Sequence, residues 1–93
     1  MPFVYILRCA DDTLYVGHTH DVIAREKTHN EGRVAHYTTK RRPVRVVYFE
    51  EQSSLTKATA RKRQLKGWTA KKKEALIAGS LSTLRQLSKR RKK

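Results

Sequence analysis

The sequence predicts an α/β domain of the α+β sandwich kind, a small three-stranded antiparallel or mixed sheet flanked by helices in the order β-β-α-β-α-α. Three observations carry this expectation. Two apolar, β-rich runs, FVYILRC at Phe3–Cys9 and LYVGH at Leu14–His18, are separated by a short polar turn and read as a hairpin. A third run, VRVVYFE from Val44 to Phe49 or Glu50, begins directly after Pro43, whose missing N–H suits the start of a strand. Segments of helix formers complete the pattern, opened by the capping residues Asp21, Ser53 or Ser54, and Thr69, and followed by Gly32, Gly67 and Gly79.

Phe3–Cys9 shows no polar alternation, so it reads as the central strand, buried on both faces. Ala10–Thr13 is the turn. A loop of Asp11, Asp12 and Thr13 pairs Cys9 with Tyr15 and Leu7 with Gly17 and puts Tyr5 and Tyr15 on one face of the sheet, whereas a four-residue loop would part them; the odd loop is expected because a shared site wants both phenols together. The first helix runs from about Asp21 to His29 or Asn30, with Gly32 in the left-handed position beyond it. Arg33–Pro43 (RVAHYTTKRRP) lacks apolar periodicity and reads as a loop crowded with hydrogen-bond donors. The second helix runs from Ser53 or Ser54 to about Lys66. Its apolar stripe of Leu55, Ala58 and Leu65 has Lys62 in the middle, a lysine that either snorkels to water or reaches into a cleft bordered by the helix. Thr69 caps a third helix, Ala70–Ala78. Ser80–Ser88 can add a turn through Leu81, Leu84 and Leu87, and Lys89–Lys93 is a cationic end expected to be disordered. The expected organisation is one domain over residues 1–80 and a basic, partly disordered tail over residues 81–93.

Charge is the strongest global feature. The chain of 93 residues carries 22 lysines and arginines against 8 acidic residues, a formal net charge of +14. Such an excess on a small domain points to a polyanionic partner, nucleic acid first, bound with an affinity that falls as salt rises. A membrane surface is not expected, because the charge is spread over several segments and does not line one side of an amphipathic helix. No apolar run approaches the roughly 20 residues that span a bilayer. Met1-Pro2-Phe3 lacks the basic start of a signal peptide, so a cytoplasmic location is expected. The single cysteine, Cys9, excludes an internal disulfide. Nothing in the pattern demands more than a monomer.

The chemistry concentrates in LYVGHTHDVIAREKTH, Leu14–His29. Tyr15 stands on the strand, while Arg25 and His29 lie four apart and project from one face of the following helix. An arginine offers a planar fork of donors to phosphate oxygens, and a tyrosine or histidine moves protons, so the set suits a phosphodiester. Each residue alone has an ordinary explanation: a core ring, a solvated charge, a last-turn histidine meeting the helix dipole. Downstream, Tyr37 among Arg33, Lys40, Arg41 and Arg42 offers stacking and phosphate contacts, with a solvated basic connector as the equal alternative.

Together these residues resemble the GIY-YIG nuclease domain, in particular its small stand-alone bacterial members. Phe3-Val4-Tyr5 stands at the first signature triplet and Tyr15-Val16-Gly17 matches the second, with Arg25 and His29 in register on the helix. Tyr37, Thr38, Arg41, Arg42, Pro43 and Val44, and the stretch from Leu65 to Ile77, resemble the stand-alone subgroup, so the likeness covers the chain to about Gly79. The resemblance implies an endonuclease acting on DNA with a divalent Mg or Mn ion. It gives Tyr5, helped by Tyr15, the proton of the attacking water, Arg25 the scissile phosphate, and His29 a part in proton transfer. It also implies a metal-binding glutamate, and that position falls on Lys62, so no metal ligand is assigned. Phe3 likewise replaces the leading glycine, and His18 follows the second triplet. Three outcomes are open: a domain that binds nucleic acid without cutting it, a lysine that takes over part of the metal's electrostatic role, or a ligand supplied by Glu26, Glu50, Glu51 or Glu74, with Glu74 the best placed of these.

Overall fold

The structure, a computed structural model, describes residues 1–79. Strands β1 (Phe3–Arg8) and β2 (Leu14–Thr19) form the hairpin, helix α1 (Val22–Asn30) follows, and a short helix α2 (His36–Thr39) precedes strand β3 (Arg45–Glu51). Helix α3 (Leu55–Lys66) comes next, and residues 70–79 form a fourth helix, α4. The sheet order is β2-β1-β3 with both pairings antiparallel, so β1 is central as its apolar run requires.

Side-chain alternation along β1 divides the core in two. Val4 and Ile6 face α3 and α4 with Val16, Ala58, Leu65 and Leu76, and Trp68 packs against them. Tyr5 and Leu7 face the other way, toward α1, with Cys9 and Val44, and Tyr15 and Val22 pack against these. Helix starts follow the predicted caps: Asp21 accepts from the Ala24 N–H at 3.0 Å, Ser54 from Lys57 at 3.2 Å and Thr69 from Lys72 at 3.2 Å. Gly32 takes the left-handed backbone beyond α1, at φ +76°.

Four expectations are corrected. The hairpin register is two residues away from the predicted one: Leu7 lies opposite Tyr15, and Tyr5 opposite Gly17. The turn is wider because Asp12 adopts a left-handed φ of 69°, Cys9 N–H bonds the Thr13 carbonyl at 2.9 Å, and the Asp11 carboxylate accepts from the Thr13 amide and hydroxyl. A shift of two preserves facing, so Tyr5 and Tyr15 still share a side. Within the supposed loop 33–43, α2 forms, its Thr38 and Thr39 hydroxyls both bonding back to the Ala35 carbonyl. Strand β3 begins one residue late because Val44 is clamped by the Asn30 side chain, which accepts from its N–H at 2.7 Å and donates to its carbonyl at 2.9 Å. Leu55, placed in the core stripe of α3, is 55 % exposed, which leaves Ala58 and Leu65 as the buried contacts of that helix. The turn expected at Ser80–Ser88 and the cationic end lie outside the described residues. Among the described residues no helix is long and apolar enough to cross a membrane.

Candidate active site

Tyr5 is buried, and its ring lies across Gly17 on the neighbouring strand. A Cβ built on Gly17 would stand 2.6 Å from the Tyr5 Cζ and would overlap the hydroxyl oxygen, so glycine at this position is a requirement of space. From there the Tyr5 hydroxyl meets Nε2 of His29 at 2.9 Å. His29, in the last turn of α1, is fully buried, and its Nδ1 lies 2.8 Å from Thr38 Oγ1 on α2. With the Thr38 hydroxyl donating to the Ala35 carbonyl at 3.1 Å, its oxygen accepts from Nδ1–H, and Nε2 is left to accept from Tyr5. A buried chain therefore runs Tyr5, His29, Thr38, Ala35, with every member satisfied.

The remaining predicted catalytic residues join it. Tyr15 meets the imidazole edge-on, with ring centroids 5.2 Å apart. The Arg25 charge bears on both Tyr5 and His29. Burial raises the pKa of the Tyr5 phenol well above its usual value, Tyr15 adds to the rise, and Arg25 opposes it. Burial, and then Arg25, lower the His29 imidazole from its ordinary 6.5. The phenol is thus a proton carrier and not a preformed phenolate, and the imidazole is neutral near pH 7.

The lowered imidazole has a consequence for stability. The unfolded chain binds this proton more tightly than the fold does, so the contribution is intact above the ordinary value of 6.5 and is lost as pH falls from there through the folded value. His18, also lowered, acts in the same window. Urea denaturation between about pH 8 and about pH 5 is expected to show the decline, and His29→Gln to flatten part of it.

The predicted nucleic-acid contacts divide. Tyr37 stacks on Tyr15 with centroids 6.0 Å apart, and the Arg41 guanidinium lies 3.9 Å from the centre of the Tyr37 ring. Arg41 also bonds Asp11 and the Tyr37 carbonyl, each at 3.0 Å. Arg42 bonds the Thr39 and Asn30 carbonyls, closing the ends of α2 and α1, and Arg33 pairs with Glu31. These three guanidiniums brace the α1–α2 connection. Lys40 is exposed, and Lys62 is half-buried.

Lys62 is placed by its own helix. Ala58 and Leu65 are buried against the sheet, and Lys62 lies between them on the same stripe, so it points toward β2. The strand register puts His18 opposite Val4, on the α3 side of the sheet. The His18 imidazole is lowered by burial, then by Lys62, Arg25, His20 and Lys66. The Lys66 ammonium also stands 5.8 Å from the centre of the Tyr15 ring. Since β2 is an edge strand, cations from α3 and Arg25 from α1 meet around that edge.

The divalent ion implied by the resemblance does not fit these residues. Among the described residues no three of His, Cys, Asp and Glu group to hold a metal ion. Glu74 forks onto the Arg8 guanidinium at 2.6 and 2.8 Å, Glu50 is held by Arg61 at 2.8 Å, Glu26 accepts from the Val46 N–H at 2.7 Å, and Glu51 ends β3 at the opposite edge. Glu74, the best placed of the four candidate substitutes, is thereby committed elsewhere.

Sequence reasoning missed Thr38 as part of the site and α2 as its carrier. The one available signal was Thr38 in the segment shared with the stand-alone subgroup.

Known proteins are similar to this chain over most of its length. A family model described as the GIY-YIG catalytic domain matches residues 1–75. UPF0213 proteins of Staphylococcus aureus, strains COL and MW2, are each 45 % identical over 75 residues, covering 81 % of this chain and 92 % of the relative. The solution NMR structure of a UPF0213 protein from Bacillus halodurans is 36 % identical, with a TM-score of 0.54, covering 95 % of this chain and 98 % of that one.

Proposed function

The chain belongs to the GIY-YIG catalytic-domain family, and from that premise we propose that it is a nuclease-like protein that seats a DNA phosphodiester in the hollow bordered by Tyr5, Tyr15, Arg25 and His29. The hydrogen bond from the buried Tyr5 hydroxyl to His29 Nε2, 2.9 Å long, carries this reading. With its O–H donating to the imidazole, the phenol oxygen keeps a lone pair for the proton of an incoming water. As the water oxygen bonds to phosphorus, its proton passes to Tyr5 and the Tyr5 proton to Nε2, leaving an imidazolium whose Nδ1–H stays on Thr38. The bond to the leaving oxygen breaks, and that oxygen takes a proton from solvent. Arg25 offsets the charge gathering on the phosphorus oxygens.

The test is an incubation with duplex, nicked, branched and single-stranded DNA, with Mg, with Mn and with chelator. Products are expected that Arg25→Ala lowers to background. In a parallel binding titration Arg25→Ala is expected to weaken affinity about tenfold and to reduce the salt slope by about 1, as for one lost phosphate contact.

A second reading rests on Lys62. An ammonium at the position of the metal-binding acid favours a module that binds nucleic acid without cutting it, with an affinity sensitive to salt and indifferent to chelator. No products above the Arg25→Ala control, together with binding that Arg25→Ala weakens, would select it.

A further inference from the structure

We infer that Lys62 and Lys66 of α3, with Arg25 of α1, form a fixed cationic seat at the edge of β2 for one phosphate of a nucleic-acid backbone, so that the protein holds its phosphodiester without a divalent metal ion. The inference rests on the proposed use of the neighbouring hollow and adds to it the site's source of positive charge.

Placement comes first. Lys62 shares its stripe with the buried Ala58 and Leu65, which prevents it from turning to the far side of α3, and the stripe lies over the face of β2 that carries Val16 and His18. One turn further along the helix, Lys66 reaches past that edge to the Tyr15 ring at 5.8 Å. Tyr15 in turn touches His29, so the Lys66 ammonium stands beside the ring that packs on the phenol–imidazole chain. Arg25, on α1, is near enough for its charge to act on His18, Tyr5 and His29 alike.

Charge is the second observation. The acids on the elements flanking α3 are used away from this edge: Glu50 binds Arg61, and Glu74 binds Arg8. Burial, then Lys66 and Arg63, make the Lys62 ammonium costly to keep charged. Among the described residues no acid pairs with Lys62, Lys66 or Arg25; cations so gathered repel one another, and an anion between them relieves that repulsion. A hydrated divalent cation meets the opposite field. An ammonium provides no lone pair to bind it and adds a repulsive charge, whereas a phosphate oxygen can accept from all three side chains. An edge lined by ammonium groups thus takes the phosphate itself and not a metal ion.

The experiment uses the full chain and a fluorescein-labelled nicked DNA duplex, titrated by anisotropy at constant ionic strength with EDTA, with Mg and with Mn. Parent affinity is expected to agree within about twofold in all three, Lys62→Gln to lose severalfold, and Lys62→Glu to lose about tenfold in EDTA and regain affinity with Mn. A parent that needs divalent metal to bind, or Lys62→Glu and Lys62→Gln variants that bind in EDTA as the parent does, would overturn the inference. Arg25→Ala in the same series separates the two ideas. If it weakens binding while the Lys62 variants do not, only the seat is lost. If none of them changes binding, the hollow is not where DNA sits. Thermal unfolding by circular dichroism checks each variant's fold, and Lys62→Gln, which changes no sterics of note, keeps the test decisive if Lys62→Glu folds poorly.

Discussion

Gly17→Ala is expected to lower stability by about 3 kcal/mol, at the upper end of what an inserted methyl costs in a packed core, and to break the contact between Tyr5 and His29. The backbone at Gly17 needs no special conformation, so the effect is one of space alone. The new Cβ enters the volume of the Tyr5 ring, 2.6 Å from Cζ. A solvent-exposed ring would swing away at little cost. This one is 2 % exposed and is fixed at its far end by the imidazole, so β2 must separate from β1 or the phenol must leave Nε2. Either movement disturbs the hydrogen-bonded chain, and the protein is expected to lose function together with stability. Urea denaturation measures the first part. A double-mutant cycle with Tyr5→Leu measures its origin, because shortening residue 5 removes the overlap and the paired variant should be more stable than the sum of the two single losses. Strict additivity would show that the glycine serves something other than the tyrosine.

That pairing shows what a sequence can and cannot disclose. The two tyrosines share a face whichever odd loop joins the strands, because side-chain direction repeats every two residues, but that the loop is odd was legible only through the chemistry of the site, not through the turn itself. The identity of the opposed pair was not legible, since it depends on Asp12 entering a left-handed conformation stabilised by Asp11 and Thr13. The caps at Asp21, Ser54 and Thr69 were legible because capping is a local interaction of a side chain with its own backbone. Helix α2 has no such signature. Its four residues contain no apolar repeat, and it is held by the Thr38 and Thr39 hydroxyls, by Arg42 and by the histidine it supports. The commitment of Arg41 and Arg42 to protein acceptors was invisible for the same reason, since an arginine reads alike whether its partner is a carbonyl or a phosphate. Lys62 stood out because a charge on an apolar stripe contradicts its surroundings, and contradictions of that sort are what periodicity detects.

His29→Ala is expected to cost about 3–5 kcal/mol, more than any loop substitution, by adding a cavity to two abandoned polar groups. The imidazole fills space between Tyr5 and Tyr15, and its removal leaves the Tyr5 hydroxyl and the Thr38 oxygen facing a void. Thr38→Val separates the structural part from the electronic one. Valine keeps the shape of threonine, so no cavity forms, and the loss should be about 1–3 kcal/mol for the unpartnered Nδ1–H. With that partner gone, nothing holds the proton on Nδ1, and the tautomer with Nε2–H becomes accessible, in which the imidazole can no longer accept from Tyr5. Nitrogen-15 NMR of the imidazole is expected to show a bare Nε2 in the parent and a mixed population in Thr38→Val, with Thr38→Ser restoring the parent pattern. If the tautomer ratio stays unchanged in Thr38→Val, the direction of the proton chain is set elsewhere, and the threonine serves only to anchor α2 over the histidine.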